Sequence, residues 1–231
     1  MKIAIIGAGN IGGTLTRRFR ELGHEVFVAN SRGPETLGQL AAETGATAVT
    51  AEQAAHNGDV VIVSIPERRI EDLPGALFSG VPDSVVVVDT GNYYPRQRDG
   101  CIAEIEDGVP DSVWVSKHLK RPVIKAFNDI YAEHLGHYGK PKGAPGRIAL
   151  PVAGDDQRAK ALVMDLVDQL GFDPVDAGPL DQSWRQQPGT PVYAQDFDAQ
   201  GVRDALARAS KERSPEFTAT PQSPGSFDHP A

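Results

Sequence analysis

Cysteine is nearly absent: Cys101 is the only one in 231 residues. A single thiol excludes an intrachain disulfide and any zinc site built on paired thiolates, and it suits a reducing compartment. Cys101 itself reads as a minor packing residue. Basic residues are in deficit, 23 against 31 acidic, for a net charge of -8. That balance favours solubility and argues against general binding to nucleic acid or an anionic membrane, so a small ligand is the expected partner. Long apolar runs are missing too. The longest, "VVIVSIP" from Val60 and "VVVVD" from Val85, fall far short of the roughly 20 residues a membrane helix needs. No basic and apolar leader precedes the opening "MKIAIIG", so a non-exported, cytoplasmic protein is expected.

What is present is a rhythm. Short apolar runs at Ile3 to Ile6, Val26 to Ala29, Thr47 to Val49, Val60 to Ile65 and Val85 to Val88 alternate with amphipathic stretches. Continuous Val/Ile runs mark strands covered on both faces, as in a parallel sheet between helices. The expectation is an α/β, Rossmann-type doubly wound fold with a mostly parallel sheet. The rhythm loosens after Gly91 and resumes at Val113 to Val115 and at the strand Val123 to Phe127, which leads into the helical "NDIYAEHLGHYG". A loop "GKPKGAPGR" then precedes a strand from Ile148, a helix "DQRAKALVMDLVDQLG" and a strand from Phe172. The domain reading is residues 1–180 as one nucleotide-binding unit, 181–212 as a short helical extension packed on it or on a partner subunit, and 213–231 as a Pro-rich tail. Tail composition indicates disorder; an ordered tail would have to lie on something, such as the second copy of a homodimer.

"IAIIGAGNIGG" carries Gly7, Gly9 and Gly12 in the G-x-G-x-x-G spacing, after a strand and at the opening of a helix with Ile11, Leu15, Phe19 and Leu22 on one face. That context turns a weak pattern into a mechanism for dinucleotide binding. Gly7 permits the tight turn, Gly9 lets the backbone approach a pyrophosphate, and Gly12 lets helix and strand pack closely. Ala8 completes the turn, and the amides near Asn10 and Ile11 lie at the positive end of the helix dipole.

The second strand lacks the acid that usually holds the adenosine ribose of NAD. Asn30, Ser31 and Arg32 stand there instead, in "VANSRGPETL". A carboxylate would repel a ribose 2′-phosphate, whereas a guanidinium makes bidentate, charge-assisted hydrogen bonds to it. Ser31 and Asn30 add donors, and the expected cofactor is NADP. The other reading leaves Arg32 as a solvated residue. Glu35, three residues on, suits a helix start better than the ribose.

The segments "GAGNIGGTL", "VANSRGP", "VVIVSIP", "VDTGN", "VIKAFN" and "VAGDD", spread in order over roughly residues 1–180, resemble the coenzyme-F420-dependent NADP oxidoreductases and their relatives, including the soluble reductase domain of the STEAP metalloreductases. The resemblance implies a Rossmann-type fold binding NADP(H), with Ser31 and Arg32 at the 2′-phosphate. It places Ser64, Ile65 and Pro66 beside the cofactor, and Asp89 to Asn92 and Ala126 to Asn128 near the nicotinamide. F420 or a flavin is the implied second substrate, a small-molecule redox partner. These segments all lie at the C-terminal ends of expected strands, where ligands bind in open α/β sheets. Asn92 and Asn128 also read as turn or helix-cap residues.

No catalytic residue stands out. Hydride transfer between nicotinamide and a flavin-like ring is carried largely by the cofactors, so no acid motif is required. A carbonyl or imine reductase would need a proton donor, for which His118, Lys125, Tyr131, His134 and His137 are candidates. His134 and His137, three apart, read as helix-surface residues or as a metal pair, and no third ligand stands at a recognisable spacing. The basic run Lys117 to Lys125 reads as a solvated link or as an anchor for an anionic substrate. Trp184 in "QSWRQQPGTPVY" reads as a packing residue or as a stacking surface. Three functions fit: hydride exchange with a flavin-like acceptor, reduction of a small carbonyl or imine, and non-catalytic sensing of NADP(H).

Overall fold

Strand and helix alternate along the chain as the apolar runs dictate. The computed structural model describes all 231 residues. In order they form β1 (Lys2–Ile6), α1 (Asn10–Glu21), β2 (Glu25–Ala29), α2 (Gly38–Thr44), β3 (Thr47–Ala48), α3 (Ala51–Asn57), β4 (Val60–Val63) and β5 (Val86–Asp89). There follow α4 (Ala103–Glu106), α5 (Asp111–Leu119), β6 (Val123–Lys125), α6 (Ala132–His137), β7 (Ala149–Val152), α7 (Gln157–Gln169), β8 (Asp173–Asp176) and α8 (Ala199–Arg208).

The first six strands make one parallel sheet in the order β3-β2-β1-β4-β5-β6. This is the doubly wound order whose reversal beside β1 opens a crevice at the C-terminal strand ends. Successive residues of β1 face opposite cores. Ile3 and Ile5 pack with Leu15 and Phe19 of α1 and Val163 and Leu166 of α7. Ala4 and Ile6 pack with Ala54 and Ala55 of α3 and Trp114 and Val115 of α5. Both faces are thus covered, which is why the strands read as unbroken apolar runs.

β7 and β8 form a separate parallel pair, joined to the main sheet through one antiparallel bridge between Lys125 and Ala153. α8 covers this pair, with Val202, Ala205 and Leu206 packed against Ala149 and Val175. No helix is long and apolar enough to cross a membrane.

Four local expectations change. The run Val113 to Val115 lies inside α5, not in a strand. Pro110 precedes the first helical residue and Asp111 sits in the first turn, both helix-start signals, and a run of three apolar residues is too short to outweigh them. The helix expected from Asn128 begins only at Ala132, with Tyr131 as N-cap, because Phe127 takes a positive φ of 63° and the chain bends after it. Asn128 is therefore not a helix cap. The tail is ordered on its own chain: Phe217 and Phe227 pack on Tyr94, and the amides of Gly225 and Ala231 donate to the Arg96 carbonyl at 2.8 and 3.0 Å. Cys101 is exposed rather than packed.

Candidate functional site

The turn after β1 is knitted to both neighbouring strands. Gly7 adopts a φ of +110°, and its amide donates to Ala29 of β2 at 2.8 Å. A Cβ there would lie 2.1 Å from the Ser64 carbonyl oxygen beyond β4, and one at Gly12 would lie 1.8 Å from the Gly7 carbonyl oxygen. Only glycine fits either place. At Gly9 an added Cβ meets nothing within 4 Å, so the backbone faces open space. Gly9 is also the N-cap of α1, with no side-chain cap and no acid in the first turn. The first amides of this twelve-residue helix are thus available to an anion.

These elements floor a cleft of about 1560 Å³. It runs from Asn30, Ser31, Arg32 and Thr36 past Gly7, Ala8, Gly9 and Asn10 to Ser64, Ile65 and Pro66, and on to Ala132, Glu133 and His137 of α6. Ile11 and Gly12 support the turn from behind: Ile11 packs against the core and Gly12 is buried.

Asn30 shapes the loop after β2 rather than offering its amide to the cleft. Its Nδ2 donates to Thr36 Oγ1 at 2.8 Å, and its Oδ1 accepts from the Arg32 amide at 3.0 Å. Ser31 and Arg32 remain exposed. Of the four arginines lining the cleft, three carry their own counter-charge: Arg17 with Glu43 at 2.6 Å, Arg18 with Glu21 at 2.8 Å and Arg69 with Asp72 at 2.9 Å. The guanidinium of Arg32 has no partner among the ion pairs or hydrogen bonds.

Asn92, Ala126 and Asn128 come together but do not line the cleft. Asn92 Nδ2 donates to the Asn128 carbonyl at 3.0 Å, and Asn128 Nδ2 donates to Asn92 Oδ1 at 3.0 Å and to the Gln186 carbonyl at 2.6 Å. Gln186 Nε2 returns a bond to Asn128 Oδ1 at 2.9 Å. Ala126 is fully buried in the same core as Ile3 and Ile5. The trio ties the ends of β5 and β6 to the helical turns at Leu180–Gln186.

Lys125 is excluded as a proton donor. Its ammonium is fully buried and directs its three hydrogens to Gly91 O at 2.5 Å, Asp89 Oδ2 at 3.2 Å and Asp111 Oδ1 at 3.3 Å. Burial alone would lower its pKa, but the charges of Asp111, Asp89 and Glu67 outweigh burial and hold it above the ordinary lysine value. The basic run disperses: Lys117 pairs with Glu104 and Arg121 with Asp83. His118 donates from Nδ1 to the Trp114 carbonyl at 2.8 Å. His134 pairs with Asp196 at 2.9 Å, while His137 lines the cleft.

Glu67, next to Pro66, is fully buried, and neither carboxylate oxygen has a partner. Burial first, then the charges of Asp89 and Asp111, push its pKa well above the usual 4.5. The folded protein therefore keeps a proton that the unfolded chain releases as pH rises past 4.5, and stability falls with rising pH over that window. Glu67→Gln is expected to flatten this fall, so that the variant gains on the native protein toward alkaline pH. Urea midpoints across pH test this, and parallel profiles for the two proteins would refute it.

A family model described as NADP oxidoreductase, coenzyme F420-dependent, matches residues 2–93. A solved hypothetical protein from Sinorhizobium meliloti, SMa0349, is 33% identical with a TM-score of 0.72, over 85% of this chain and 95% of that one. The stretch matched by the family model is the glycine-rich turn and the first five strands of the main sheet. The F420-dependent NADP reductase of Methanocaldococcus jannaschii is 28% identical over 79% of this chain and 86% of its own length. The YjhV protein of Escherichia coli K12 is 45% identical over 77 residues, and the match spans only 56% of that protein. The match to that family model and the relative named as an NADP reductase identify the chain as an NADP-dependent oxidoreductase.

Proposed function

We propose that the protein binds NADP(H) along the cleft and moves a hydride between the nicotinamide and a flavin-like or deazaflavin acceptor such as F420. The observation that carries the cofactor half is Arg32. It is the cleft's unpaired guanidinium, beside the exposed Ser31, where an NAD enzyme would place an acid. A 2′-phosphate gives it the bidentate partner it lacks. The amides around Asn10, at the uncapped N-terminus of α1, suit the pyrophosphate. Ser64, Ile65 and Pro66 form the opposite wall. When bound, NADPH supplies the hydride; the chain's own part is to hold and orient the rings and exclude water.

The acceptor class rests on the relative named F420-dependent NADP reductase, which aligns along most of both chains. Anaerobic stopped-flow mixing of the protein and NADPH with F420, FMN or FAD tests it. The expected result is a fast loss of reduced-nicotinamide absorbance with at least one of them. Tight NADPH binding without oxidation by any of the three would refute the reading.

A further inference from the structure

Asp129 follows the Asn92–Asn128–Gln186 network and stands three residues before Ala132, where α6 begins to line the cofactor cleft. It is 4% exposed, and neither carboxylate oxygen has a hydrogen-bond partner. Such a group costs folding free energy, so its retention calls for an explanation. The facing segment repeats the anomaly: Ser183 Oγ, Gln186 Oε1 and Gln187 Nε2 are buried and unpartnered as well. Two segments held together by Asn128 and Gln186 thus bring unmet polar atoms to the ends of β5 and β6. Apolar packing does not need them there, whereas a polar ring edge would satisfy them.

We propose that Asp129 is the acid–base residue of the reaction, giving the acceptor the proton that must accompany the hydride and recovering it in the reverse direction. The inference rests on the hydride transfer proposed above. In that step the C–H bond of the reduced nicotinamide breaks and its electron pair forms a C–H or N–H bond on the acceptor. The pair displaced within the acceptor's conjugated system moves to a ring heteroatom, which takes the Asp129 proton. The nicotinamide is left as a cation and Asp129 as a carboxylate. Water returns the proton once products leave. Atoms and charge balance, with no further reactant.

The surroundings suit an acid held protonated. Burial first, then the charge of Asp111, raises the Asp129 pKa well above the usual carboxylate value, against the opposing pull of Lys125 and of the neighbouring Asn128 side chain. The groups that face it are Lys125 on β6, Asp111 on α5 and Tyr193, whose hydroxyl contacts that of Tyr94. Lys125 has no hydrogen left to donate, so it does not compete for the role.

Calorimetry in buffers of different ionisation enthalpy decides the matter without turnover. NADP⁺ brings a cationic nicotinamide and NADPH a neutral one, and a nearby cation favours the carboxylate. Native protein is expected to release about one proton more on binding NADP⁺ than on binding NADPH; Asp129→Asn is expected to show no difference. Proton release common to both cofactors, such as that of the 2′-phosphate, cancels. An unchanged difference in Asp129→Asn, or none in the native protein, overturns the proposal. In single turnover with an active acceptor, Asp129→Asn is expected to slow hydride transfer about 100-fold or more, with NADPH affinity held within about twofold. An unaltered rate and pH profile would also overturn it. If no acceptor oxidises NADPH even with native protein, the hydride-transfer reading fails while the calorimetric result still judges Asp129. Should Asp129→Asn not fold, Asp129→Glu is expected to keep the proton release. The infrared difference between the NADPH and NADP⁺ complexes should then show loss of a protonated carboxyl band, and its absence would overturn the assignment.

Discussion

Lys125→Met is expected to lower unfolding free energy by about 3 to 5 kcal/mol at neutral pH, the range for breaking a buried ion pair by removing one partner. The substitution keeps the apolar stem but leaves Asp89 and Asp111, each 1% exposed or less, without their counter-ion. Asp89 retains the Gly91 amide at 2.8 Å and the Ser112 hydroxyl at 2.6 Å, whereas Asp111 Oδ2 already lacks a partner. For a chain of this size the loss corresponds to about 6 to 20 °C in Tm. The native lysine, its pKa raised, keeps its contribution until pH rises through that raised value. Urea unfolding followed by fluorescence of the buried Trp114 provides the measurement. A loss below about 1 kcal/mol, the level of an exposed pair, would show that the cluster carries little.

Arg32→Ala is expected to weaken NADPH binding by about 1.5 to 3 kcal/mol, the range for hydrogen bonds to charged groups, or roughly 10- to 150-fold in Kd. NADH binding should hardly change, since the ribose 2′-hydroxyl gives the guanidinium no charge to pair with. Arg17→Ala is the informative comparison. Its guanidinium is held bidentately by Glu43 at 2.6 and 2.9 Å, so truncation should cost NADPH much less than loss of Arg32. Fluorescence titration of both variants with both cofactors checks the pattern. Equal losses for NADPH and NADH in Arg32→Ala would mean that no 2′-phosphate is read at the end of β2.

The part of the site that could be read from the sequence is contiguous in it. Gly7 to Gly12 sit between a strand and a helix whose patterns are clear, and Ser31 and Arg32 follow the next strand at a position with a known chemical meaning. The Lys125 cluster was hidden for the opposite reason. Glu67, Asp89, Asp111 and Lys125 come from four separate segments, and each alone passes for a turn, strand-end or surface charge. A lysine closing the apolar run "VIK" was the one available signal, since a charge in a doubly covered strand must find partners. Asn92 and Asn128 were recognised as strand-end residues, but their bond to Gln186 depends on how residues 180–187 fold back, which no local pattern encodes. Val113 to Val115 shows a short apolar run overruled by the helix start before it.

The close approach of Gly7 to Ser64 has a consequence for binding entropy. With the Gly7 amide bonded to Ala29 and the Ser64 amide bonded to Ile6, each at 2.8 Å, the ends of β2, β1 and β4 form one locked surface. The segments at 7–10, 30–32 and 64–66 that line the cleft are held at their roots by that lock. A dinucleotide entering the cleft therefore finds its floor already assembled, and little backbone freedom remains to be lost. The affinity that reaches measurement is correspondingly closer to the gross strength of the contacts.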